Sequence, residues 1–188
     1  MAGERETGVS IMRIVRELDA GPVFATARIP IEEDATSPDI ETRLAELGAT
    51  LLVDVVEHIA AGRAVEIPQD HARATYAPKL TREEGAIDWS LPAGRVHNLV
   101  RGLQPWPMVS IWIDGARHLL HRTRVSAETT TAAAGTIVSA SNGRLAIAAG
   151  GGSVVDVLSL QPEGRRSMTA PAFLAGHRVA PGARVTPP

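Results

Sequence analysis

The sequence predicts two modules: a short α/β segment, then a small antiparallel β-barrel, joined by a long irregular linker. Three observations carry this. Two runs rich in Val and Ile, residues 9–15 and 22–31, precede one strongly periodic helical stretch. After residue 108 the apolar period changes to two, with turn residues about every 8–12 positions. The charge also divides. Residues 1–90 hold 17 Asp/Glu against 9 Lys/Arg, whereas residues 91–188 hold 4 against 10.

The two runs flank Glu17-Leu18-Asp19-Ala20-Gly21-Pro22, which places Asp19 on a tight turn. Gly accepts turn dihedrals closed to other residues, and Pro fixes its own φ. An aspartate here either caps backbone N–H groups of its turn or projects a carboxylate for chemistry, and spacing alone leaves both readings open. Thr36-Ser37-Pro38-Asp39 then announces a helix, with Ser37 as cap and Pro38 in the first helical position. Ile40, Leu44, Leu47, Leu51, Val55 and Ile59 follow at spacings of three and four, and Gly62 stops the helix. Two strands and one helix leave an apolar face without a second layer, so further residues are expected upstream of residue 1.

Residues 64–89 read as the linker, broken by Pro68, Pro78 and Gly85 and tacked down by Ile67, Tyr76, Leu80, Ile87 and Trp89. Ser90 is the expected cap of a second helix, with Pro92 in its first turn and a stripe of Val96, Leu99, Val100 and Leu103. His97 and Arg101, four apart, share one side of it. Gln104-Pro105-Trp106-Pro107 ends that helix. Strands are expected over 109–113, 118–125, 135–140, 145–149 and 154–160, with Asp114-Gly115, Asn142-Gly143 and Gly150-Gly151-Gly152 as turns. The Ala/Thr run 127–134 reads as an exposed loop, 168–175 as a short helix and 180–188 as frayed.

Composition excludes several functions. There is no cysteine, so disulfides and thiolate metal sites are ruled out. The six histidines lack metal-ligand spacing, and no metal is expected. No glycine pattern cradles a phosphate, and no apolar run approaches ~20 residues. A cytoplasmic protein without membrane contact is expected. Six aromatic residues leave a core of Ala, Val, Leu and Ile. The basic half reads either as a polyanion footprint or as arginines solvating a barrel surface.

Several stretches together carry a resemblance. Glu6-Thr7-Gly8-Val9-Ser10-Ile11-Met12 with Leu18-Asp19-Ala20-Gly21-Pro22 resembles the closing part of folate-dependent formyltransferase domains. Tyr76-Ala77-Pro78-Lys79-Leu80, Ile87-Asp88-Trp89, Pro105-Trp106-Pro107 and Leu160-Gln161-Pro162-Glu163-Gly164-Arg165-Arg166-Ser167-Met168 resemble the methionyl-tRNA formyltransferase branch, along residues 2–178. The last two motifs count against branches acting on nucleotide sugars or purine precursors.

The resemblance implies formyl transfer from 10-formyltetrahydrofolate to the methionine amine of initiator methionyl-tRNA, by a monomer. It implies that residues 1–63 are the end of a Rossmann-like formyltransferase domain, 64–89 the linker and 90–188 an OB-like, tRNA-binding barrel. Asp19 takes the place of the family's catalytic aspartate. The folate-contacting Ser-Leu-Leu-Pro segment and the catalytic Asn and His belong upstream of this sequence. No folate-binding residue is therefore expected here, and the chain by itself is expected to be inactive. Lys79, Arg82, Arg101, Arg117, Arg122, Arg124, Arg165 and Arg166 are the candidate tRNA contacts, with Arg165-Arg166 favoured because the pair lies in a shared motif. The alternative is a non-catalytic tRNA- or RNA-binding protein derived from the family.

Overall fold

The computed structural model describes residues 1–186, which divide into two units: Glu4–Lys79, and Met1–Gly3 together with the chain from Leu80 onward. Segment 64–89 is thus shared between them. In the first unit, β1 (Glu6–Met12) and β2 (Val23–Pro30) pair antiparallel, from Glu6 opposite Pro30 to Met12 opposite Val23. The register shifts between Ile11 and Met12, where the hairpin opens into its loop. Residue 67 adds a short outer pairing through Val23 N–H to Ile67 O (2.8 Å) and Ile67 N–H to Val23 O (2.9 Å).

The helix α1 (Ser37–Ala60) packs on both strands. Its cap is Thr36, not Ser37. The Asp39 carboxylate accepts from the Thr36 N–H at 2.9 Å and from its hydroxyl at 2.6 Å. An acid three residues into the helix selects the residue it can reach back to, which moves the start up by one. Only Val55 among the apolar residues of α1 is buried, while Leu52, Val53, Val56 and Ile59 stay exposed. The hairpin covers a single side of the helix.

The second unit contains α2 (Ala93–Gly102), β3 (Val109–Ile113), β4 (Ala116–Thr129), β5 (Ile137–Ser141), β6 (Arg144–Ala148), β7 (Ser153–Pro162), β8 (Met168–Thr169) and α3 (Ala170–Gly176). Its sheet is antiparallel, in the order β3-β4-β7-β6-β5, with β8 on β7. The path is open: β3 and β5 do not bond to each other, so the expected barrel is not closed by its strands. Three register shifts against β7 bend the long β4, which runs on through Thr129 into the stretch expected to be loop.

Residues 182–186, expected to be frayed, bond to both sheet edges. Trp112 and Thr186 exchange hydrogen bonds at 3.0 and 3.2 Å, Ile137 N–H donates to Ala183 O (2.8 Å) and Gly182 N–H to Ile137 O (2.8 Å). Backbone pairing and the buried Val185 side chain hold this segment, and Ala183 and Val185 between Gly182, Arg184 and Thr186 are too few to make an apolar pattern that announces it. Residues 187–188 lie outside the described residues.

The core joins α2 (Val96, Val100), Leu103 after it, Ile111, Leu120, Leu145, Ile147, Leu160 and Phe173. Helix α2 is not capped by Ser90. Ser153, sixty residues away, accepts from Ala93 N–H at 2.9 Å and donates to Gly150 O at 2.6 Å. Pro92 occupies the cap position without a side chain able to bond, so the orphan N–H is satisfied across the fold.

Candidate functional site

In the first unit the candidate is the turn carrying Asp19. Asp19 has φ +51°, a left-handed conformation that Asp tolerates better than most residues. Two bonds from one amide hold the loop: Gln69 Nε2 donates to Asp19 O (2.8 Å) and to Gly21 O (2.7 Å). Arg13 N–H donates to Pro22 O (2.9 Å), and a Cβ on Gly21 would lie 1.8 Å from Arg13 O. Glycine is required there by that close approach. An ion pair of Arg13 with Glu66 braces the same end and holds the Glu66 carboxyl below its ordinary range, chiefly through the hydrogen bond. The Asp19 side chain is exposed and accepts no hydrogen bond among the described residues. It lines a hollow with Gln69, Asp70, His71 and Arg73, but no hydrogen bond joins it to the His71 imidazole. Gln69 escapes sequence reasoning because its contact spans about fifty residues and has no periodic signal.

The candidate cations fall into distinct settings. Lys79, Arg82, Arg122, Arg165 and Arg166 are exposed and make no ion pair among the described residues. Arg101 is half-buried on α2, its Nε donating to Asn98 Oδ1 at 2.8 Å. Arg124 is paired with the buried Asp156 at 3.5 Å. Asp156 also accepts from Arg144 Nε (2.8 Å), and Arg144 reaches Glu128 at 2.8 Å. These two carboxylates, Glu128 foremost, raise the Arg144 guanidinium above its ordinary range. Arg117 is half-buried: its Cζ lies 5.8 Å from the Trp112 ring centroid, and its Nε is buried without a hydrogen-bond partner. Leaving such a donor unmet costs about 1–3 kcal/mol.

The fold brings Arg117 and Arg165 to one cavity, together with Arg178, His118 and His177, none of which sequence reasoning selected. His118 is buried, with Nδ1 donating to Ala116 O at 2.9 Å. Burial pushes its pKa below the ordinary 6.5, with the proximity of His177 acting in the same direction against the Ala116 bond. Unfolding therefore takes up a proton at His118 once the pH drops below about 6.5. Its contribution to stability is complete above that pH and declines as the pH falls towards the depressed folded value. Urea unfolding at about pH 7.5 and 5.5 should show the second unit weaker at the lower pH, and His118→Gln should flatten that difference.

The model of the "Formyl transferase, C-terminal domain" matches residues 79–178, more than half the chain, and that of "Formyl transferase" matches residues 1–56. The chain belongs to the formyl transferase family. This formyl transferase is 42% identical to a methionyl-tRNA formyltransferase of Moorella thermoacetica, over 97% of the chain and 58% of that relative. It is 36% identical to one of Limosilactobacillus fermentum, over 95% of the chain and 56% of that relative. The formyl transferase chain thus spans a little over half the length of these curated relatives. Among solved structures, HypX from Aquifex aeolicus in complex with tetrahydrofolic acid shares its fold, with a TM-score of 0.66 at 21% identity, over 92% of this chain and 30% of that one. Among the described residues, no helix is long and apolar enough to cross a membrane and no His/Asp/Glu group could hold a metal ion.

Proposed function

We propose that the chain serves formyl transfer from 10-formyltetrahydrofolate to the methionine amine of initiator methionyl-tRNA, in the cytoplasm and as a monomer. Asp19 is its catalytic carboxylate, and the second unit, an OB-like sheet, is its tRNA-binding part. The observation that carries this reading is the 36–42% identity to proteins named methionyl-tRNA formyltransferase along nearly the whole chain.

The chemistry requires a neutral attacking amine and a proton moved from nitrogen to the leaving folate nitrogen. A carboxylate contributes by orienting an imidazole and raising its proton affinity. The turn held by Gln69 and Gly21 gives Asp19 a fixed backbone for that task. The hollow beside it does not fit a pteridine ring: of its lining only Ala20 and Gln69 are even partly buried, and its other apolar residues, Leu18 and Ala74, are themselves exposed, so nothing encloses a ring. Folate contacts are accordingly assigned to no residue of this chain.

The bare Asp19 carboxylate favours a second reading, a non-catalytic tRNA-binding protein derived from the family. Gel-shift and formylation assays on the purified chain separate the two. Binding of initiator methionyl-tRNA without turnover is expected of this chain alone. Turnover lost in Asp19→Ala would assign catalysis to these residues by themselves. Absence of tRNA binding at low salt would overturn both readings.

A further inference from the structure

We propose that the cavity between the β3–β4 turn, the β7–β8 turn and the end of α3 binds a single nucleotide, its phosphate on the arginines and its base against the His177–Phe173 stack. The proposal deepens the RNA-binding reading and, for an RNA nucleotide, rests on it.

The cavity measures about 620 Å³, a size that suits a small polar ligand. Arg117, Arg165 and Arg178 line it, and none forms an ion pair among the described residues. Asp114 and Glu163, the acids at its rim, are not bonded to them. Three arginines therefore line one cavity without a carboxylate partner, and the guanidinium fork matches phosphate oxygens in pairs. The Arg165 backbone is fixed, because Gln161 Nε2 donates to its carbonyl at 2.8 Å and its own N–H bonds to Pro162 O at 3.0 Å.

An inorganic anion would need only the arginines, yet the cavity also has an aromatic wall. His177, exposed, stacks on Phe173 with ring centroids 4.4 Å apart and planes 18° from parallel. His118 meets the same Phe173 edge-on at 5.1 Å. Both imidazoles bond a carbonyl through Nδ1, His118 to Ala116 O (2.9 Å) and His177 to Phe173 O (3.0 Å). Carbonyls only accept, so Nδ1 carries the hydrogen and Nε2 of each neutral ring is left as an acceptor. A nucleobase supplies a face that stacks on His177 and, in adenine, guanine or cytosine, an exocyclic amine that can donate to His118 Nε2.

The test titrates the 188-residue chain separately with each 5′-mononucleotide and with inorganic phosphate, following the imidazole nitrogen signals of His118 and His177 by NMR. At least one mononucleotide is expected to shift both. The Arg165→Gln/Arg178→Gln double variant, changed only at exposed positions, should bind it about tenfold more weakly or worse. The proposal is overturned if no mononucleotide moves either signal, if phosphate alone reproduces both shifts, or if the double variant binds as the parent does. Displacement of the mononucleotide by initiator tRNA supports an RNA nucleotide as occupant. Mononucleotide binding that persists beside bound tRNA supports a free nucleotide instead. Failure of tRNA to bind at all overturns the RNA reading while leaving the free-nucleotide site standing.

Discussion

A chain carrying Gly150→Ala should lose about 3 kcal/mol or more of stability in its second unit, enough to abolish a clean unfolding transition. Gly150 is buried at the turn between β6 and β7, where its N–H donates to Leu91 O at 2.8 Å. A Cβ there would lie 1.7 Å from Ser90 O and 2.5 Å from Ser90 C. Both are backbone atoms, so no rotamer change relieves the overlap. The strain would spread, because the Ser153 hydroxyl bonded to Gly150 O also satisfies Ala93 N–H at the start of α2. Gly151→Ala is the control. Its φ of +67° is strained for alanine, but nothing lies within 4 Å, so a loss of about 1 kcal/mol is expected. Tryptophan fluorescence in urea reads this unit alone, since Trp89, Trp106 and Trp112 all belong to it. A transition for Gly150→Ala matching the parent would refute the close approach.

Binding of initiator tRNA should weaken by roughly a hundredfold to five-hundredfold between about 50 and 200 mM salt. Five cations, Lys79, Arg82, Arg122, Arg165 and Arg166, are exposed and without ion pairs among the described residues. Each phosphate neutralised adds about 0.7–0.9 to the slope of log affinity against log salt, so five contacts give a slope of about −3.5 to −4.5. Replacing Arg165 and Arg166 by Gln should flatten that slope by about 1.5. Arg124→Gln should leave it nearly unchanged, because Asp156 already holds that guanidinium at 3.5 Å. Filter binding over a salt series checks all three. A slope near zero would remove the electrostatic account, and a large effect of Arg124 would show that its ion pair opens for RNA.

Helix α1 was legible because Ile40 to Ile59 repeat an apolar face over many turns, and a long period survives an error of one residue at the cap. The Asp19 turn was legible for a related reason: Gly21 and Pro22 carry their backbone demands wherever they occur. What remained hidden is what one side chain does for a distant backbone. Nothing near Gln69 announces that its amide reaches Asp19 and Gly21, and nothing near Ser153 announces that it caps α2. Strand parity likewise could not separate Arg122 from Arg124, since the difference is the carboxylate of Asp156 on the neighbouring strand. Arg178 has no local signal, because the arginines that share its cavity come to it from β4, the β7–β8 turn and the end of α3 only once these are assembled.

The segment 182–186 has one more consequence. It lies against β3 at Trp112 and against β5 at Ile137, the two ends of an open strand path. Exposed strand edges invite pairing with other chains. Here a single latch shields both borders, so its release would bare two docking ledges in one event. Resistance to intermolecular stacking thus depends on one short stretch of main chain, which the buried Val185 side chain anchors in the core.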